Sequence, residues 1–196
     1  MFPALEQELP DLCADRIDYN LQGAYYRGLL SKEEAKEVLD GLRFDGKTWI
    51  AKPSPALGKM ARFSVFMSCD CWSSPRNYFA SRALSRALLR AVEIGLIPLD
   101  EIHFGADDEL WEKLILSDDP EIQESMERTL HAENYFSVSG EGDKMIRGKF
   151  RGVDPLITDG IALDARLTDS DPFFREEFTR VQILLKRGWA LMEICK

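Results

Sequence analysis

The chain has few of the features that mark membrane or secreted proteins. No apolar run in its 196 residues approaches the roughly 20 residues that a membrane-spanning helix requires. The opening residues MFPALEQELPD are acidic and contain no basic segment, so we expect no secretory signal peptide. These two absences predict a cytoplasmic protein that has no membrane partner.

Positive charge is also scarce. The chain has 25 basic and 34 acidic residues, which gives a formal net charge of -9. Broad binding to nucleic acids or to anionic membranes requires a basic surface, so the composition argues against a nucleic-acid partner. A nucleotide site needs only a local cationic cluster and is compatible with this charge.

Few residues offer soft or imidazole metal ligands. The two histidines, His103 and His131, have no second histidine at ligand spacing, so each is interpreted as a packed or capping residue. The cysteine pair Cys69-x-Cys71 is too closely spaced for a usual zinc pair, and no second pair follows. We therefore expect reduced thiols at all four cysteines. They are Cys13, Cys69, Cys71 and Cys195.

Several common catalytic signatures are absent as well. The sequence has no Gly-rich phosphate loop and no Ser-His-Asp order. What it does contain is apolar residues at helical spacing, with short strand-like runs between them. The pattern predicts a mainly α fold with small β-hairpins. We expect a helical portion over 1–134 and a small α+β portion over 135–196, which together could form one domain.

Local signals place the individual elements. Ser31 and Glu34 form a capping box, and Asp45-Gly46 is typical of a type I′ turn in a β-hairpin over 42–50. The predicted helices span about 11–27, 32–40, 55–71, 75–94, 107–116, 120–133 and 172–187. Further strands are predicted at 135–138, 144–151, 163–168 and 189–194.

The first predicted helix carries an unusual polar load. A helix of 3.6 residues per turn places Asp15, Asp18, Tyr19 and Gln22 on one stripe, with Arg16 at its edge. Periodicity alone is compatible with a solvent-facing stripe of an ordinary amphipathic helix.

The order of these residues along the chain is more informative about function than their periodicity. Asp15-Arg16-Ile17-Asp18-Tyr19, followed by Tyr25-Tyr26-x-Gly28, resembles the last metal-binding helix of HD-domain phosphohydrolases. It is most similar to the D-[RK]-x-D-Y-x-x-R-D pattern of the deoxynucleotide triphosphohydrolase branch. The resemblance implies that Asp15 is a ligand of a divalent metal, which could be Mn, Mg, Fe or Zn. It also implies that Arg16 contacts a phosphate and that Tyr19 lines the substrate pocket.

The sequence departs from this family in two places. Gln22-Gly23 stands where the pattern has Arg-Asp, so a substrate-contacting carboxylate is missing. The family also needs a His and an adjacent His-Asp pair before this helix, whereas both histidines come after it. The resemblance therefore implies the C-terminal part of an HD-type bundle, inactive alone. Its partner would be the missing N-terminal HD half or another copy, and its substrate a phosphorylated small molecule or a nucleotide.

A second hypothesis belongs to another class. The chain could be a non-catalytic helical regulatory or interaction module derived from an HD protein. The two hypotheses differ in whether apolar residues of the first helix, such as Leu12, Ile17 and Leu21, are left uncovered for absent helices.

One local basic cluster stands out in this acidic chain. In the predicted strand 144–151, alternation places Arg147, Lys149 and Arg151 on one face. The cluster could bind a phosphate or an acidic partner. Alternatively, it protects an edge strand from pairing with other chains.

Overall fold

The computed structural model describes residues 2–139, 144–158 and 165–194, and the prediction of a mainly α fold with small β elements is confirmed. The helices are α1 Ala14–Tyr26, α2 Lys32–Asp40, α3 Pro55–Phe66, α4 Pro75–Glu93, α5 Leu99–Phe104, α6 Asp107–Ile115, α7 Pro120–Leu130, α8 Leu167–Ser170 and α9 Pro172–Arg187. The strands are β1 Leu42–Phe44, β2 Trp49–Ala51, β3 Phe136–Ser139, β4 Lys144–Ile146, β5 Leu156–Ile157, β6 Ala165–Arg166 and β7 Trp189–Glu193.

The chain forms two compact units. The first unit comprises residues up to Ser73 together with Arg147–Gly188, and the second comprises Ser74–Ile146 with the residues after Gly188. Neither unit is continuous in the chain. Among the described residues, no helix is both long and apolar enough to cross a membrane.

The first unit contains a four-stranded sheet in the order β1-β2-β5-β6. Strands β2 and β5 are parallel, with Ile50 opposite Leu156, and the other two pairs are antiparallel. The β1–β2 hairpin is confirmed, but its type I′ turn is not. That turn needs positive φ at two central residues, whereas the described residues with positive φ are all glycines, such as Gly46. Instead, the Asp45 carboxylate accepts hydrogen bonds from the backbone of the two residues after Gly46, both at 2.8 Å.

The capping box of α2 is confirmed, because Ser31 Oγ accepts from the backbone N–H of Glu34 at 3.1 Å and the Glu34 carboxylate accepts from that of Ser31 at 2.9 Å. Helix α1 begins at Ala14, three residues later than predicted, and its N-cap residue Cys13 makes no side-chain capping bond.

Helix α3 continues into a π-helical segment over Met67–Trp72, where the sequence predicted an uninterrupted α-helix. Three serines of this stretch hold an extended segment, Arg147–Val153, against the helix. The Oγ atoms of Ser64 and Ser68 accept the backbone N–H groups of Val153 and Arg151 at 2.9 and 3.0 Å, and Ser73 Oγ donates to the carbonyl of Lys149 at 3.0 Å.

These hydrogen bonds correct one predicted element. Strand β4 ends at Ile146, so the predicted strand does not reach Arg151, because serines and not a neighbouring strand bind its backbone. The extended segment lies close to the end of the π-helical segment, since a Cβ at Gly148 would lie 2.3 Å from the Cβ of Ser73. The predicted turn at 140–143, the start of the predicted strand at 163 and Cys195 lie outside the described residues.

The second unit is built on α4 and α7. Its buried apolar cluster consists of Ala87, Ala91, Ile97, Leu114, Ile122 and Met126. A three-stranded antiparallel sheet, in the order β3-β7-β4, completes the unit. Asp119 caps α7 by accepting from the N–H groups of Glu121 and Ile122, and it also accepts from the Arg90 guanidinium at 2.8 and 3.1 Å.

We predict that Ser64→Ala lowers the free energy of unfolding by about 1–3 kcal/mol, because it leaves the buried N–H of Val153 without an acceptor. Chemical denaturation followed by circular dichroism measures the change. Ser85→Ala is the matched control, since Ser85 is exposed and its hydroxyl only donates within α4. A Ser64 variant as stable as the control would contradict the role given to this bond.

The contacts of Asp119 predict that the stability of the fold depends on pH. The hydrogen bond from Arg90 holds the pKa of the Asp119 carboxyl below its usual value. A lowered folded pKa gives stability that is present above the ordinary carboxyl range and is lost as the pH falls through the folded value. The melting temperature of Asp119→Asn should therefore lie below that of the wild type near neutral pH, and the difference should shrink below about pH 4. The same substitution at its exposed neighbour Asp118 should leave the pH profile unchanged.

Candidate functional site

Asp15 lies in the first turn of α1, and its side chain is exposed. No group of three or more His, Cys, Asp or Glu residues among the described parts of the chain could hold a metal ion. One exposed carboxylate does not bind a divalent metal usefully, because such sites need several donors. The described residues therefore do not make a complete metal site, and the role of Asp15 as a metal ligand stays a prediction.

Arg16 is largely buried, with a side chain that is 12% exposed. Its guanidinium donates to the backbone carbonyls of Gln7 and Asp11, both at 2.7 Å, and lies 3.5 Å from a carboxylate oxygen of Glu6. The side chain thus ties the segment before α1 to the helix. The phosphate contact that the resemblance implies for Arg16 would have to compete with these carbonyls.

Tyr19 is half-buried beside the end of the π-helical segment. Its ring packs edge-to-face on Trp72, with centroids 5.3 Å apart and an interplanar angle of 87°. Burial raises the pKa of the Tyr19 phenol above its usual value, and the nearby charge of Arg16 and then of Arg151 partly opposes this shift. The phenol is therefore protonated near neutral pH and can donate a hydrogen bond.

The structure brings the basic segment to Tyr19. Arg147, Lys149 and Arg151 are exposed, although the segment is not a strand. The carbonyl of Lys149 accepts a hydrogen bond from Ser73, the residue after Trp72, on which the Tyr19 ring packs. The charge of Arg151 has the smallest of the effects that lower or raise the pKa of the Tyr19 phenol. Asp15, on the same helix face, also acts on Tyr19 and raises the pKa of the phenol. Two regions far apart in sequence thus contribute to one surface of the first unit.

The sequence reasoning missed the residues that hold this surface together. The serine contacts were not predicted, although the spacing of Ser64 and Ser68 by four residues, together with Ser73, was visible in the sequence. The sequence carried no indication of a partner for Trp72. The π-helical turn has no clear sequence signal, so the position of Trp72 beside Tyr19 could not be predicted.

The departure from the family pattern at Gly23 has a structural reason. A Cβ at this position would lie 2.7 Å from the Phe63 ring, so the absence of a side chain allows α1 to approach α3. An aspartate here, as in the family pattern, would require Phe63 to move. The missing substrate-contacting carboxylate is therefore tied to the packing of this unit.

The described cysteines Cys13, Cys69 and Cys71 are free thiols. Burial raises the pKa of the Cys69 thiol, and the neighbouring Asp70 carboxylate raises it further. The Arg27 guanidinium donates to Cys71 Sγ at 3.8 Å. A raised pKa makes Cys69 a weak nucleophile near neutral pH, so we assign no chemistry to it.

A groove of about 640 Å³ lies on the adjoining face of α1, which shares Asp18 and Gln22 with the polar stripe. One wall is formed by Ala14, Ile17, Asp18, Leu21, Gln22 and Tyr25 of α1. The opposite wall and the floor are formed by Lys32, Ala35, Leu39, Leu42 and Trp49. We call this the α1–α2 groove. Its volume lies within the range of small-ligand sites, and its lining is mostly apolar.

The apolar residues named as a test of the two hypotheses are covered. Leu12, Ile17 and Leu21 are 1%, 6% and 6% exposed. By that criterion the chain buries the inner face of α1 by itself, which favours a self-sufficient module. The open apolar surface is instead the mouth of the α1–α2 groove.

Comparisons with known proteins identify two similar proteins and no family. No protein-family model matches the chain. A protein of Cordyceps militaris named "metal-dependent phosphohydrolase cns2" is 29% identical over 134 residues, which is 65% of this chain and 39% of that protein. The "uncharacterized protein YdhJ" of Bacillus subtilis is 30% identical over 98 residues, which is 50% of this chain and 30% of that protein.

The chain thus spans less than two fifths of the length of these curated relatives. The name of the first relative agrees with the coarser part of the predicted resemblance, a metal-dependent phosphohydrolase.

Proposed function

We propose that this chain supplies the C-terminal part of an HD-type metal-dependent phosphohydrolase that acts on a nucleotide or another phosphate ester. In this proposal Asp15 is one metal ligand, and the remaining ligands come from outside the described residues. The observation that carries the proposal is geometric: the Tyr19 ring packs on Trp72, and the next residue, Ser73, donates a hydrogen bond to the backbone of Lys149 in the basic segment. The similarity to a named phosphohydrolase over 65% of the chain supports it.

The chain's own residues have defined tasks in this proposal. Arg151 and Lys149 bind the phosphate oxygens, for which the guanidinium and ammonium groups are suited. Tyr19, which remains protonated, donates a hydrogen bond to the substrate and offers one face of its pocket. Ser68 and Ser73 fix the backbone from which the two basic side chains project. Because the described donors do not form a metal site, we assign no step to a metal here.

A second candidate function is a non-catalytic regulatory or interaction module. It is favoured by the burial of Leu12, Ile17 and Leu21 and by the lack of a metal-binding cluster among the described residues. In this case the Asp15 helix would be an inherited element without a catalytic task.

We predict that the chain alone shows no metal-stimulated hydrolysis of bis(p-nitrophenyl) phosphate or of dATP. Activity with Mn²⁺ or Mg²⁺ should appear only after addition of a polypeptide from the same organism that carries the His and His-Asp ligands of an HD protein. In that mixture Asp15→Asn should lower the rate by about 100-fold or more, since even outer-shell groups of metal sites cost about 10–100-fold.

The matched control is Asp100→Asn, an exposed carboxylate at the start of α5, which should leave the rate unchanged. Turnover by the isolated chain that is lost in Asp15→Asn would contradict the proposed inactivity while supporting the reaction class. Neither activity nor Mn²⁺ binding in the mixture would favour the regulatory module.

We also predict that the double substitution Lys149→Gln and Arg151→Gln weakens binding of dATP by about tenfold or more, as expected for the loss of charge-assisted hydrogen bonds. Isothermal titration at low salt measures the affinity. Arg187→Gln is the control, because Arg187 is an exposed cation at the end of α9. Equal affinities for the control and the double variant would exclude the basic segment as the phosphate contact. Tight binding to an oligonucleotide that falls steeply with salt would instead indicate a nucleic-acid surface.

A further inference from the structure

Helix α4 of the second unit carries a row of arginines on successive turns. Arg82, Arg86 and Arg90 are spaced by four residues, which places them on one face of the helix. Arg90 is neutralised, because its guanidinium donates to Asp119 at 2.8 and 3.1 Å. Arg86, in contrast, is exposed and forms no salt bridge with the residues that the structure describes. The row is therefore not uniformly paired with carboxylates, as an ordinary solvated helix face would be.

A small cleft lies beside the part of this row that is not neutralised. It is lined by Phe79, Arg82, Ala83 and Arg86 of α4, by Arg128 of α7 and by Glu193 of β7. We call it the arginine cleft. Its volume of about 10 Å³ is enough for one water-sized group, so the cleft admits a single oxygen atom of a ligand and not a base or a sugar. Because Arg128 comes from another helix, the sequence alone does not reveal that three guanidinium groups meet here.

Aromatic rings hold two of the three guanidinium groups in place. The guanidinium carbon of Arg82 lies 5.7 Å from the centroid of the Tyr78 ring, and that of Arg128 lies 5.3 Å from the centroid of the Tyr135 ring. A ring below a guanidinium group attracts the cation and leaves the N–H groups at its edge able to donate hydrogen bonds. A ligand of these groups therefore has less side-chain motion to restrict, which favours binding.

The carboxylates near the arginine cleft only partly balance these cations. Glu193 lies 3.6 Å from Arg82, which is longer than a hydrogen bond. Glu124 pairs with Arg128 at 2.8 Å but is 64% exposed, and exposed pairs are weak. The Nε atom of Arg128 is buried and has no hydrogen-bond partner among the described residues, whereas most buried polar groups have one. The cleft thus has an excess of positive charge and of hydrogen-bond donors.

We propose that the arginine cleft binds the phosphoryl group of inorganic phosphate or of a phosphorylated small molecule. A phosphate dianion offers several oxygen atoms to several arginines at once, whereas one bidentate arginine already satisfies a carboxylate. One phosphate oxygen would enter the cleft, and the others would lie at its rim, where Arg86 is exposed. The proposal does not depend on the phosphohydrolase proposal, which uses none of these residues.

The test is isothermal titration of the full chain with sodium phosphate at low salt. All variants carry Lys149→Gln and Arg151→Gln, so that the basic segment of the first unit does not contribute to binding. We expect one phosphate site per chain. Arg82→Gln and Arg86→Gln should each weaken phosphate binding about tenfold or more, as expected for the loss of a charge-assisted hydrogen bond.

The matched control is Arg76→Gln, because Arg76 lies on the same helix but donates to Glu133 at 3.2 Å and does not line the cleft. It should leave the affinity unchanged. Glu193→Gln should tighten phosphate binding about threefold or more, since it removes a carboxylate that repels the anion. Glu133→Gln, which removes the same charge elsewhere in the unit, should have no effect. Circular dichroism confirms that each variant is folded.

Titration with dAMP identifies the source of the phosphoryl group. An affinity for dAMP equal to or above that for phosphate supports the proposal with a phosphorylated small molecule as the ligand, and binding of phosphate without dAMP supports it with inorganic phosphate. The proposal would be overturned if phosphate does not bind up to about 10 mM, if acetate binds as tightly, or if Arg76→Gln weakens binding as much as Arg86→Gln. None of these results affects the test of the basic segment.

Discussion

The candidate site depends on the hydrogen bonds between the serines of one helix and the backbone of one extended segment. Ser64, Ser68 and Ser73 lie along α3 and the π-helical segment and bind the backbone at Val153, Arg151 and Lys149. Each neutral bond contributes about 0.5–1.5 kcal/mol on its own, so no single one dominates. Their combined effect is geometric, because they set which residues of the segment point outward.

This arrangement explains how an acidic chain presents a local cationic surface. Some carboxylates elsewhere are engaged with arginines, as Asp119 is with Arg90 and Asp171 with Arg62. In the serine-bound segment, by contrast, the backbone supplies the binding groups, and the basic side chains are left to face solvent. Gly148 is necessary for this because a side chain there would collide with Ser73.

Much of the fold could be predicted from sequence, because its signals are local. The capping box at Ser31 and the hairpin around Gly46 are determined by neighbouring residues, and the structure contains both. The prediction that the strand continues beyond Ile146 was wrong. Alternation of basic and apolar residues indicates an extended chain, but it does not show whether the backbone bonds to a strand or to side chains. That Tyr19 and the basic segment both lie at the end of the π-helical segment could not be predicted at all, since it depends on long-range packing. The roles of Asp15 and Arg16 rest on the family resemblance and stay predictions.

The π-helical segment makes the register of the site sensitive to chain length. Its backbone bonds join residues five apart, as between the N–H of Ser73 and the carbonyl of Ser68 at 3.2 Å. Removal of one residue between these two serines would restore α-helical spacing and rotate all that follows by about 100°. Trp72 would then move away from Tyr19, and Ser73 would move away from Gly148. This segment should therefore tolerate an exchange of side chains better than the insertion or deletion of a residue, because a single-residue deletion would break both the Tyr19–Trp72 contact and the hydrogen bond from Ser73 to the basic segment.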